Sequence, residues 1–285
     1  MSSRSVVALH ASPRDDIGDL VTRRPLPGAG LDQLDPFLFL NHHGPQTYPP
    51  GNAGLPFGPH PHRGFETVTL IVEGELAHHD SGGHESVIRA GGVQWMTAGR
   101  GVVHAELSPA AFKAKGGPLE ILQLWVNLPA RLKLTTPRYI GLQRAAIPVV
   151  QLDEGRSRLH LISGALEGRQ GPISSLTGVF MSTVDLKAGA RTWLPAPSGR
   201  TVFLYVVRGT VSVAGTPVAA HHLVELGDGD SVEVAAEAPA LLMFAHADPI
   251  GEPVISYGPF VMNTEEEIRE AIADYQAGRF GDLPG

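Results

Sequence analysis

The chain has 285 residues, too many for one small core and close to two domains at roughly 150 residues each. It contains no cysteine, which excludes disulfides, thiolate metal sites and cysteine nucleophiles, so any metal must sit on nitrogen and oxygen donors. A formal charge of -7 without a Lys/Arg-rich run disfavours a nucleic-acid partner, and no apolar run approaches the roughly 20 residues of a membrane span. The opening residues MSSRSVVALHASPRDD lack a continuous apolar stretch of signal-peptide length, so a cytoplasmic protein is expected.

Along the chain, 34 glycines and 24 prolines punctuate short runs rich in Val, Ile, Leu, Thr and aromatics. This is the pattern of an all-β sandwich or barrel. The run from Thr67 to Gly74 is similar to the run from Thr201 to Gly209. Each is followed about twenty residues later by a turn signal, Ala90-Gly91-Gly92 and Gly227-Asp228-Gly229-Asp230. Two copies of one β unit are therefore expected, residues 1–130 and residues 131–285. Aligning Thr67 on Thr201 sets His60 opposite Leu194 and His62 opposite Ala196, so the second copy has no metal ligands. His221 and His222 are adjacent, point to opposite faces of a strand and cannot share an ion. The tail predicts a helix over 264–277: Thr264 stands three residues before Glu267 in capping-box spacing, and Gly278 follows. Ile268, Ala271, Ile272 and Tyr275 give it one apolar stripe for docking on a barrel wall.

Of the thirteen histidines, three stand out by spacing: His60 and His62 in GPHPHRGFE, and His104 followed by Glu106 in GRGVVHAE. On an extended chain residues i and i+2 point the same way, roughly 6.5 to 7 Å apart, so each pair is a two-toothed clamp. Pro59 and Pro61 bias His60 toward the extended form, and Gly99 with Gly101 permits a tight turn before His104. Facing one another inside a barrel, the clamps offer three imidazole nitrogens and one carboxylate oxygen and leave open positions on an octahedral ion. His78, His79 and His84 flank an Asp80-Ser-Gly-Gly83 turn and read as exposed loop residues. His42 and His43 open a stretch, 41–58, that reads as a loop.

The segments carrying these residues also resemble a known family. Gly54 to Gly74, with His60, His62 and Glu66, looks like the first cupin motif, and Gly99-x-Gly101-x2-His104 like the core of the second. The runs DPFLFLNHHGP (35–45), HPHRGFETVTLIVEG (60–74), QWMTAGRGVVHAE (94–106) and the stretch 251–281 are similar to pirins in order and wording. The resemblance implies two jelly-roll-type cupin barrels with a C-terminal helix packed on one of them. It also implies iron as the usual ion, on His60, His62, His104 and Glu106. Glu66, a ligand in many other cupins, then has a supporting or structural role instead, such as orienting a ligand imidazole. Iron(II) suits three neutral imidazoles and one carboxylate. Zinc usually saturates at four ligands, and manganese, copper or nickel can occupy the same donors.

For activity, the resemblance implies a quercetin 2,3-dioxygenase type of reaction, in which dioxygen opens a flavonol ring with loss of carbon monoxide. Glu106 is the candidate base for the 3-hydroxyl proton. Phe57, Phe65 and Trp95 are candidates for the apolar mouth that receives a flat aromatic or enolic substrate. The family's other described role is a non-catalytic, redox-responsive regulator of a protein partner such as a transcription factor or a metabolic enzyme. Two fused units that cover each other's sheet edges are compatible with a monomer.

Overall fold

The computed structural model of the protein describes residues 2–283. The chain forms two compact units, one from Arg14–Arg24, Phe37–Ala145 and Ile250–Gly285, the other from Met1–Pro13, Pro25–Pro36 and Ala146–Pro249. These units correct the expected division into 1–130 and 131–285. Strand Arg138–Leu142 pairs with Val93–Thr97 and so extends the first barrel past residue 130. Strand Val6–Ala11 pairs with His222–Leu226 and belongs to the second. The C-terminal segment joins the first barrel, and residues 284 and 285 of the expected tail lie outside the described residues. In each case an edge strand or an apolar wall is covered by a segment distant in sequence, which local patterning does not reveal.

In the first barrel, one sheet runs in the order Arg138–Leu142, Val93–Thr97, Phe65–Glu73, Gly117–Asn127, Phe37–Tyr48, Thr22–Leu26. The other runs Phe57–His62, Val102–Leu107, Glu75–Asp80, Glu85–Arg89. Register fixes which side chains share a face. Gln123 lies between Thr69 and Asn41, and Trp125 between Thr67 and Phe39, so these six residues line the same side of the sheet. The intervening positions Val68, Leu70, Leu122, Leu124 and Leu40 point to the other side and are buried as well. Leu20, Ile71, Leu76, Ile88, Leu119 and Ile121 form a hydrocarbon cluster in this unit, and the Gln123 face carries polar and aromatic residues beside it.

The second barrel repeats the plan with a seven-stranded and a four-stranded sheet. Its strand Thr201–Arg208 is the counterpart of Phe65–Glu73, and both stop at a glycine, Gly209 and Gly74, with φ of 83°. A Cβ would lie 2.7 Å from the Pro239 carbonyl oxygen at Gly209 and 2.6 Å from that of Pro118 at Gly74. The shared clash explains why glycine stands at both ends. Leu194 and Ala196 are fully buried in a core with Leu204, Val206, Val232, Leu242 and Phe244. The second unit is filled with hydrocarbon where the first carries histidine. His221 adopts a left-handed φ of 63° just before strand His222–Leu226, so it occupies a turn rather than a strand position.

Among the described residues no helix is long and apolar enough to cross a membrane. The tail helix, Glu265–Gln276, starts as expected: Thr264 Oγ1 accepts from the Glu267 amide at 3.2 Å, and Glu267 Oε2 accepts from the Thr264 amide at 2.9 Å. Ile268 and Ala271 are buried against Val103, Phe260, Met262 and Phe280, with Ile272 partly buried beside them. Tyr275, the last residue of the stripe, is half exposed. Replacing Thr264 by Ala removes the cap and is expected to cost about 1 kcal/mol of stability. Urea unfolding should show this as a lower midpoint, which Thr264→Ser restores.

Candidate metal centre

The two clamps close on each other because their strands are partners. Strand Phe57–His62 runs antiparallel to Val102–Leu107, with His60 directly across from His104. Gly99 makes the preceding turn at φ 50°, where a Cβ would lie 2.1 Å from the Thr135 carbonyl oxygen. The donor nitrogens of His60, His62 and His104 lie within 4.8 Å of one another. Their ring centroids are 4.4 to 4.9 Å apart. His62 and His104 are buried and His60 is partly exposed, so the cluster has one open side.

The donor set suits a metal ion. Burial, together with neighbouring His60, holds the His62 imidazole down to about 3, and burial beside His62, His60 and His78 holds His104 well below its ordinary value. Both rings are neutral at physiological pH and carry a free lone pair. His60 Nδ1 donates to the Gly58 carbonyl at 2.7 Å, and His62 Nδ1 to the Pro259 carbonyl at 3.4 Å, so each keeps its proton on Nδ1 and turns Nε2 toward the cluster. His60 Nε2 and His104 Nε2 face one another at 3.0 Å. Two nitrogens each about 2.1 Å from one ion, at a right angle, are separated by about 3.0 Å.

Glu106 lies on the same strand face as His104 but is engaged elsewhere. Its Oε1 accepts from Thr69 Oγ1 at 2.8 Å and its Oε2 from Gln123 Nε2 at 2.6 Å. Three imidazoles thus form the cluster, with the carboxylate held beside them by two donors from the larger sheet. Glu66 takes no part. Alternation turns it to the opposite face, where its Oε1 accepts from Thr97 at 2.6 Å and burial raises its pKa. These bonds fit the structural alternative for Glu66 rather than the orienting one.

The aromatic residues divide in the same way. Phe65 is buried against His62, with centroids 5.0 Å apart, and Phe57 is partly exposed beside His43 at 5.2 Å. Trp95 pairs with Val68, on the face turned away from Gln123, so it does not line the mouth. The residue overlooked is Trp125, 5.3 Å from His62, stacked on Phe39 at 4.7 Å and tilted against Phe65 at 4.5 Å. The alternation in Leu122-Gln-Leu-Trp-Val126 places Gln123 and Trp125 on one face and was the available signal.

Two further histidine groups differ from expectation. His42 and His43 belong to strand Phe37–Tyr48 and are fully buried. His42 Nε2 is 2.8 Å from Glu120 Oε1, and His43 Nδ1 is 2.9 Å from Thr22 Oγ1. His79 and His84 are at least partly exposed, but strand Glu75–Asp80 continues to the turn, which sends His78 inward. His78 stacks on Tyr139 at 3.8 Å, bonds Asp80 at 3.0 Å and stands 5.5 Å from His104. The polar runs Asn41-His-His43 and His78-His-Asp80 hid the continuation of both strands.

The chain matches known proteins along nearly its whole length. The Pirin family profile matches residues 19–126, and that of the Pirin C-terminal cupin domain residues 181–281. A pirin-like protein of Caulobacter vibrioides is 41% identical over 270 residues, 94% of this chain and 95% of its own length. A pirin-like protein of Solanum lycopersicum is 39% identical over 266 residues, 92% of this chain and 87% of its own. The crystal structure of a quercetin 2,3-dioxygenase from Acinetobacter baumannii superposes with a TM-score of 0.92 at 34% identity, covering 99% of each chain. With both halves matched in order on a pair of cupin domains, the chain belongs to the pirin family.

Proposed function

We propose that the protein is a metal-dependent dioxygenase of the flavonol-cleaving type, with iron(II) on His60, His62, His104 and Glu106. The observation that carries this reading is the convergence of three imidazole nitrogens within 4.8 Å, two of the rings held neutral by burial, on one partly open side of a barrel. A divalent iron held there supplies Lewis acidity and one-electron redox chemistry. The protein's own residues do the rest. Trp125 and Phe39, both partly exposed and backed by the buried Phe65, offer flat apolar surface leading to His62, suited to stacking an aromatic substrate. Glu106, held by Thr69 and Gln123, would serve as the fourth ligand or would accept the 3-hydroxyl proton of the substrate on a carboxylate oxygen. The relationship at 34% identity to a quercetin 2,3-dioxygenase from Acinetobacter baumannii supports the choice of substrate class.

Iron-loaded protein mixed with a flavonol under air should bleach the flavonol absorbance, consume dioxygen and release carbon monoxide. An unchanged band with iron demonstrably bound overturns the catalytic reading. His104→Ala should lose metal in equilibrium dialysis together with all turnover. Gln123→Ala frees one oxygen of Glu106 and should lower turnover or metal affinity by about 10- to 100-fold, the usual effect of removing a partner that orients a ligand.

A further inference from the structure

The buried amine of Lys133 has no part in the chemistry described above, yet it lies one step from the metal centre. We propose that the C-terminal segment is a working part of that centre, and that Lys133 is the positioning residue that clamps it in place so that the Pro259 carbonyl orients the His62 imidazole. The inference rests on the reading of His60, His62 and His104 as a metal site.

His62 is followed by a tight turn, Arg63-Gly64, before strand Phe65–Glu73 begins. The C-terminal chain is laid directly on that turn. The Arg63 amide donates to the Pro259 carbonyl at 3.3 Å, and the Val261 amide to the Arg63 carbonyl at 3.1 Å, forming a parallel bridge of Arg63 to Phe260. At Gly64, φ is 90° and an added Cβ would lie 1.9 Å from the Val261 carbonyl oxygen, so the two backbones touch only because no side chain intervenes. The same Pro259 carbonyl accepts from His62 Nδ1 at 3.4 Å. At that length the bond is lost if Pro259 moves slightly outward, so its hold on the ring requires Pro259 to be fixed in place.

Lys133 supplies the hold. Its Nζ donates to the Gly64 carbonyl at 3.0 Å, the Val261 carbonyl at 2.9 Å and Asn127 Oδ1 at 2.8 Å. Three acceptors match the three donors of an ammonium group. Burial draws the amine down to about 8, with Glu267 and Glu252 opposing, so it is charged at neutral pH and each bond is charge-assisted. One cation thereby ties the turn after His62, the C-terminal segment and the end of strand Gly117–Asn127 together. On the other side of the turn, Arg63 donates to the Arg100 carbonyl at 2.6 Å and to Asp274 at 2.7 Å, and lies over the Phe280 ring. The helix itself is docked separately through Ile268 and Ala271, so losing the Lys133 clamp loosens residues 259–261 without undocking the helix.

The test uses full-length protein loaded with cobalt(II), whose visible spectrum reports ligand geometry. Lys133→Met should lower cobalt affinity, measured against a competing chelator, by about 10-fold or more, and should alter the visible bands. Asn127→Ala, which leaves the ammonium two carbonyls, should shift both readouts in the same direction by less. Circular dichroism establishes folding. If Lys133→Met does not fold, Asn127→Ala decides by the same readouts. Affinity within about twofold of the native protein and an unchanged spectrum in the folded variant overturn the inference. Failure of the native protein to take up cobalt would overturn the metal reading itself and this inference with it.

Discussion

Everything that sets the first barrel apart depends on one cross-strand register, His60 opposite His104 in the pairing of Phe57–His62 with Val102–Leu107. A slip of one residue would turn the side chains of one strand to the other face and separate the imidazoles. The register is secured at one end of the ladder, where the Arg63-Gly64 turn after His62 meets the glycine turn before His104, the Gly64 amide donating to the Gly99 carbonyl at 2.8 Å. With the rings held together, burial does the remaining work. Protonated rings at these separations would repel one another in a medium that cannot solvate them, so the folded state favours neutral imidazoles with their lone pairs turned inward. Such a cluster is costly as a structural element alone, and an ion offsets the cost by accepting those lone pairs.

The second barrel shows the same architecture without that constraint. Leu194 and Ala196 stand where His60 and His62 stand in the first, and the face they occupy joins a continuous hydrocarbon core. The comparison separates what the fold requires from what the site requires. The glycines that end strands Phe65–Glu73 and Thr201–Arg208 are needed in both copies because a backbone carbonyl passes within contact of each. The histidines are present in one copy only, so the sheets form without them.

Much of this was legible in the sequence, and what was not has physical reasons. The clamps could be read because a spacing of two has one meaning on a strand, and the helix because its cap and stripe are local. The exchange of chain ends could not. Val6–Ala11 and Arg138–Leu142 complete sheets through partners far away in sequence, and no periodicity of their own names those partners. His42, His43 and His78 were misread for a related reason. Polarity suggests a loop, but these residues sit on strands whose faces are both covered, where a polar side chain is tolerated once it finds a partner such as Glu120, Thr22 or Asp80. Aromatic character points to Trp95 and the cupin-motif resemblance to Glu66, but alternation turns both side chains away from the histidine cluster.

The exchange of ends also bears on how the site is assembled. His60, His62 and His104 come from a stretch shorter than one sixth of the chain, yet the acceptor for His62 comes from Pro259, almost two hundred positions later. The strand pairing alone brings the imidazoles together, whereas the tautomer and tilt of His62 depend in addition on the C-terminal segment. The hydrophobic contacts of Ile268 and Ala271 bring that segment to the barrel, and the directional bonds of Lys133 and Arg63 fix where it stops. Non-directional burial supplies most of the affinity in such docking, and hydrogen bonds supply the registration. For this reason a residue far from the ligands in sequence, and without contact to the metal, belongs to the description of the centre.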